Sequence, residues 1–150
     1  MSTARAIRNK RGFTLVEILI VVVILGILAT VVIAGFKPTA ELTKANNTYA
    51  LLKTLRSQLE LYKVHHNEDY PALADLWGAL TERTDADGNI LPTGDFGPYL
   101  TREPLNQFTL SDTVVAPAGG TANDGWEYNE INGRIIAVGF DEATGVYTAP

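Results

Sequence analysis

The chain has 150 residues, about one domain's worth, with 46% hydrophobic and 19% charged residues, too apolar for a disordered segment. Its 12 Lys and Arg against 17 Asp and Glu give a net charge of −5. That balance argues against a general nucleic-acid binder, because phosphate contacts need surplus cations. With no Cys, disulfide scaffolds, Cys-based zinc sites and thiol catalysis are excluded, and two adjacent histidines, His65 and His66, leave little room for a His-rich metal site.

Charge is unevenly placed from the start. Arg5, Arg8, Lys10 and Arg11 precede Gly12 with no acid among them, and the rest of the chain has 8 basic and 17 acidic side chains, net −9. Phe13-Thr14-Leu15-Val16-Glu17 follows, then Ile18–Phe36, nineteen residues without a charge. At about 1.5 Å per residue this run spans roughly 28 Å, close to the hydrocarbon thickness of a bilayer. Positive charge before the span, with only Lys37 close after it, predicts a cytoplasmic N-terminus and the rest outside. Two ordinary readings fit the segment. One is a secretory signal peptide cut after Val32-Ile33-Ala34, although the apolar run is long for one and Glu17 stands at its entrance. The other is a plain single-pass anchor.

The local string supports a third reading. Lys10-Arg11-Gly12-Phe13-Thr14-Leu15-Val16-Glu17-Ile18 resembles the class III signal of type IV pilins and type II secretion pseudopilins. The resemblance implies a basic leader ending in Gly12 and a cut after it by a membrane-embedded aspartyl peptidase. It also implies N-methylation of the new N-terminal Phe13, with Glu17 as the fifth mature residue. An unpaired carboxylate buried in a membrane costs several kcal/mol. Glu17 therefore needs a cation, must neutralise, or lies at the headgroup level near lipid amines. After cleavage the nearest new cation is the α-amino group of Phe13. In the family, Glu at this position is thought to meet the amine of a neighbouring subunit as helices bundle in the filament core.

Gly26 and Gly35 lie within the apolar run and Pro38 follows it; membrane helices tolerate both residue types, though each loosens or kinks the ladder. From Thr39 the pattern becomes one-sided. Leu42, Ala45, Tyr49, Leu52, Leu55, Leu59, Tyr62 and His66 recur at three- and four-residue spacing, with Lys44, Lys53, Arg56, Glu60 and Lys63 mostly opposite. A single helix over Phe13–His66 with a bend near Pro38 would be about 80 Å long, which matches a pilin stalk. A plain coiled-coil dimer is the competing reading, and Tyr and His at seam positions weaken it.

Beyond Asn67 helix signals fade, and Tyr70-Pro71 breaks the pattern. Leu73–Leu80 reads as one short helix. Asp85-Ala86-Asp87-Gly88-Asn89 reads as a turn, since an EF-hand loop would need an acid where Phe96 stands. Gly125–Asn129 and Arg134–Gly139 flank Asn132-Gly133, a hairpin signal, and Val146-Tyr147 reads as a last strand. Trp126 and Tyr128 share one strand face and belong to the core. So small a sheet needs the amphipathic helix as a second layer.

Leu61-Tyr62-Lys63 with Asn67–Pro71, and Gly97-Pro98-Tyr99-Leu100 with Pro104-Leu105-Asn106, are similar to segments of the major pseudopilin. The absence of Cys also favours that secretion branch over type IV pilins, many of which close a C-terminal disulfide. Glu103-Pro104-Leu105-Asn106 stands where the branch usually has D-P-W-G. The resemblance further implies calcium in a late loop, where Asp112, Asn123 and Asp124 carry the hard oxygens that calcium prefers; a solvated acidic loop is the alternative reading. No Ser, His and Asp form a catalytic arrangement, and His65-His66 read as a polar cap and a seam residue rather than ligands.

The expected fold is α+β and type IV pilin-like: a long N-terminal helix on a small antiparallel β-sheet. Residues 1–12 form a cleaved leader, 13–36 a transmembrane and filament-core helix, 37–66 its amphipathic continuation and 67–150 a small β-rich head. The expected function is that of a non-enzymatic subunit of a type II secretion pseudopilus or pilus-like filament. Such a subunit is made as a single-pass inner-membrane precursor with its head in the periplasm and ends in a periplasmic or cell-surface filament. Its expected partners are copies of itself, the prepilin peptidase/methyltransferase, an inner-membrane assembly platform, minor pilin-like subunits and the membrane, with no nucleic acid. A membrane-anchored periplasmic binding module or enzyme is the alternative.

Overall fold

The computed structural model describes residues 12–150, with backbone alone for 30–39. The basic residues Arg5, Arg8, Lys10 and Arg11, the alternative cut after Ala34 and the bend expected near Pro38 lie outside the described residues or side chains. The chain divides into two compact units, Met1–Thr39 and Ala40–Pro150. Helix α1, Leu15–His65, carries residues of both.

In the first unit α1 starts just after Thr14. Every described side chain from Phe13 to Leu28 is exposed, with Phe13 at 79%. None of the described residues covers that apolar surface. Among the described residues no helix is long and apolar enough to cross a membrane. The expected span, Ile18–Phe36, runs into positions whose side chains are not described.

In the second unit α1 buries Ala45, Thr48, Leu52, Leu55, Leu59 and Tyr62, and His66 just beyond its end, an unbroken three-four spacing. Leu42 and Tyr49 do not join this stripe as expected; they are 62% and 55% exposed. At about 100° per residue they fall roughly 90–110° from the stripe's centre. Thr48 takes the inward place, and its Oγ1 has no hydrogen-bond partner. The helix stops without glycine: Asn67 and Glu68 both take positive φ, +55° and +70°, and the Glu68 N–H donates to the Lys63 carbonyl.

The expected helix over Leu73–Leu80 divides into a 3-10 turn, Leu73–Asp75, and helix α2, Leu76–Thr81, which buries Leu76, Ala79 and Leu80. The turn at Asp85 forms as expected. The Asn89 side-chain amide donates to both Asp85 carboxylate oxygens, and the Asn89 and Asp87 N–H groups donate to Oδ1; these bonds hold the carboxyl below its ordinary value of 3.8.

Three strands form the main sheet: β1 (Val114–Val115), β2 (Trp126–Asn129) and β3 (Arg134–Ala137). β2 and β3 pair antiparallel, with Trp126 opposite Ala137 and Asn129 opposite Arg134, and Gly133 at φ +67° closes their connection. β1 pairs parallel to β2, Val114 opposite Trp126, so the sheet is mixed rather than purely antiparallel. The loop between them is long enough to return the chain to the start of the next strand. β4 (Phe140–Asp141) and β5 (Val146–Tyr147) make a separate antiparallel ribbon. Along β2, Trp126 and Tyr128 point inward, and they join Ile135, the leucines of α1 and those of α2 in one buried cluster. Each such leucine contributes about 1.5–3 kcal/mol on burial.

Candidate functional site

The N-terminal motif is held by its own helix start. The Glu17 N–H donates to Thr14 Oγ1 at 3.2 Å, and the Thr14 N–H donates to Glu17 Oε2 at 3.4 Å. This reciprocal pair is a capping box. It satisfies two N–H groups that a helix start leaves open, and it sets a carboxylate at the positive end of the helix dipole. Sequence reasoning passed over Thr14, although Thr followed three residues later by Glu ahead of an apolar run carries the signal. The Thr14 nitrogen belongs to the Phe13–Thr14 peptide. The box therefore sets Glu17 beside the residue whose amine a cut after Gly12 would release. Gly12 and Phe13 precede the helix and are exposed, so the junction is free of packing.

Three clusters organise the head. His66 is buried; its Nδ1 donates to the Tyr62 carbonyl at 2.7 Å and its Nε2 lies 2.8 Å from Thr84 Oγ1. Its ring stacks on Tyr62 at 3.7 Å, while His65 stacks on Phe96 and meets the Tyr99 hydroxyl at 2.9 Å. Both histidines thus serve the end of α1. Arg56 binds Glu142 with both guanidinium nitrogens and also donates to the Ile135 carbonyl at 2.8 Å, so α1, β3 and the β4–β5 turn meet at one side chain. The Glu142 bond holds the Arg56 pKa above its ordinary value. Fully buried Asn106 donates to the Gly125 and Val138 carbonyls and accepts the Phe108 N–H. Sequence spacing carried no signal for the Arg56 or Asn106 contacts, because their partners are 86 and 19 to 32 residues away.

The proposed calcium residues lie at one end of the β1–β2 pair. The backbone at Asp112 passes close to Gly125, next to Asp124, and the Thr113 carbonyl accepts the Gly125 and Trp126 N–H groups. Asp124 Oδ2 accepts both the Thr121 N–H and hydroxyl, which hold its carboxyl below the ordinary range. Among the described residues no group of three or more His, Cys, Asp or Glu could hold a metal ion. The donor chemistry nevertheless fits calcium, which takes carboxylates, carbonyls and water. Asp112, Asn123 and Asp124 would hold the ion, and its charge would tie the start of β1 to that of β2.

A capping-box motif before an exposed apolar helix, together with a small head free of cysteine, defines a prepilin-type subunit. Residues 7–33 match the prokaryotic N-terminal methylation motif, which includes Gly12, Phe13 and Glu17. The chain is 38% identical to a type II secretion system core protein G of Dickeya chrysanthemi, over 73% of this chain and 71% of that protein. It is 38% identical to the core protein G of Pectobacterium carotovorum over 81% and 86% of the two chains. With that of Aeromonas hydrophila it shares 32% over 92% and 88%. No solved structure gives a significant match. The chain belongs to the type II secretion system core protein G family. It is a structural pseudopilus subunit and not an enzyme. Membership implies self-assembly into a filament, processing by a prepilin peptidase, and anchorage at the inner membrane before a periplasmic filament.

Proposed function

We propose that the chain is inserted once through the inner membrane, N-terminus in the cytoplasm, cut between Gly12 and Phe13, methylated on the new amine and polymerised. Residues 1–12 are the leader, 13–36 the membrane and filament-core helix, 37–66 its continuation and 67–150 the periplasmic head. The observation that carries this reading is the uncovered apolar surface of Phe13–Leu28, headed by Glu17 and preceded by Gly12. Such a surface needs lipid before assembly and other helices after it. Glycine at position 12 offers no side chain to a narrow peptidase site. An assembly platform in the inner membrane extracts the subunit, and minor pilin-like subunits share the filament.

Packing between apolar helices in lipid is nearly blind to register, since lipid is as apolar as Leu. A carboxylate is not. Held by Thr14 at the helix start, Glu17 is placed to receive an α-amine, and one axial offset between subunits satisfies that pairing. Glu17→Ala should insert and be cleaved but form no filaments, with Glu17→Gln between it and the wild type. Gel shift reads cleavage and electron microscopy reads filament yield. Normal fibres from Glu17→Ala would show that packing alone sets the register. For the calcium proposal, chelation should lower the melting temperature of the head and Asp124→Ala should remove the difference. Equal melting with calcium and chelator would eliminate the site.

A further inference from the structure

The head carries 16 acidic side chains against 7 basic ones over residues 40–150. Three of the seven are engaged: Arg56 with Glu142, Lys63 with Glu68 at 3.6 Å, and Arg83 with the Gly94 carbonyl. The other four, Lys44, Lys53, Arg102 and Arg134, make no ion pair within the head. Copies of so acidic a head repel one another unless these cations meet carboxylates of a neighbour.

One concavity is built to receive such a cation. A cavity of about 590 Å³ opens at the end of α1, with Glu68, Asp69, Asp87 and Glu130 among its lining residues. Acidic residues alone would be a solvated surface. Here Tyr62 also lines the cavity; it is only 4% exposed, and its hydroxyl makes no hydrogen bond among the described residues. That hydroxyl lies 2.8 Å from where a Cβ on Gly88 would stand, and Gly88 has φ +81°, so only glycine leaves the phenol its approach. The Tyr70 ring forms another wall, and Lys63 already lies 5.1 Å from its centre, so that face accepts a cation. The rim is formed by Asn67 and Glu68, the two consecutive residues at positive φ. A side-chain ammonium or guanidinium would donate to Tyr62 Oη and to the carboxylates, and lay its stem on the aromatic wall.

We propose that this cleft docks a lysine or arginine from the head of a second copy of the chain, one of Lys44, Lys53, Arg102 or Arg134, in the assembled filament. The proposal rests on the filament reading above. It adds a head-to-head contact that fixes subunit orientation outside the apolar core.

Because the chain has no cysteine, engineered thiols report cleanly. Asp87 is exposed and its carboxylate makes no hydrogen bond among the described residues, so Asp87→Cys should leave the fold intact. Asp87→Cys is paired in turn with Lys44→Cys, Lys53→Cys, Arg102→Cys and Arg134→Cys in full-length chains, and filaments are oxidised. A ladder of cross-linked multimers from one pairing is the expected result. No ladder from any pairing, or a cross-link to a different protein instead, overturns the proposal. A second measurement uses Asp69→Asn combined with Asp87→Asn. These filaments should break at a salt concentration at least about threefold lower than wild type, since exposed ion pairs are what salt screens. Unchanged salt tolerance also overturns it. Filaments of the paired-cysteine variants that form without cross-links defeat this contact while leaving the filament reading intact, whereas a wild-type chain that forms no filament defeats both.

Discussion

Residues 15–28 and residues 45–65 lie on the same helix but are written in different codes. In the first stretch nearly every position is apolar and every described one is exposed. In the second, one stripe from Ala45 to Tyr62 is buried, while Tyr49, Leu61 and Val64 on other faces stay exposed. An all-round apolar helix has no inside of its own and depends on what surrounds it, whereas a one-sided helix completes itself against its own sheet. The first region is therefore an assembly element and the second a folding element. Damage to one should leave the other intact.

The largest separation should come from Gly12→Leu. Processing should stop and filaments should vanish, while the melting temperature of the head stays at the wild-type value. Both tryptophans, Trp77 and Trp126, lie in the head, so their fluorescence follows that unit alone. A shifted head transition would break the comparison. Trp126→Ala should do the reverse, costing the head about 3–5 kcal/mol while cleavage after Gly12 continues in whatever precursor is inserted. Denaturant titration followed by Trp77 fluorescence measures it.

Asn106→Ala should cost about 1–3 kcal/mol, because it strands two carbonyls and an N–H that the amide now satisfies. A neutral result in the same titration would mean that water replaces the amide. Arg56→Ala should cost about 1 kcal/mol, falling as salt rises, since the pair is partly exposed.

The smallest effect is on acid stability. Asp85, Asp124 and Asp141 are held below their ordinary value of 3.8 by turn hydrogen bonds. Their contribution is complete above that value and is lost as pH falls below it through the folded-state pKa values. The melting temperature of the head should decline below about pH 4, and less steeply when all three are Asn. An identical decline in the triple variant would remove these turns as the cause.

The N-terminal motif, the stalk pattern, the Asp85 turn, the β2–β3 hairpin and the inward Trp126 and Tyr128 were legible because each is written within a few neighbouring residues. Thr14 is equally local, since a Thr three residues before a Glu at the head of an apolar run spells the capping box. The stripe was misread at Leu42 and Tyr49, where exposed apolar residues flank a buried threonine; hydropathy cannot report that exchange. The parallel pairing of β1, the Asn106 clamp and the Arg56–Glu142 bond join distant segments, and no local pattern encodes them. The tyrosine-backed acidic cleft likewise assembles from the end of α1, the Asp87 turn and Glu130.

The central claim is that Gly12 and Phe13 divide a disposable leader from a filament-forming helix. Mass spectrometry of the N-terminal peptide from purified filaments tests it most directly. The account predicts a chain beginning at Phe13 and heavier by one methyl group on its amine. A filament subunit that begins at Met1 or at Gly35 would contradict it.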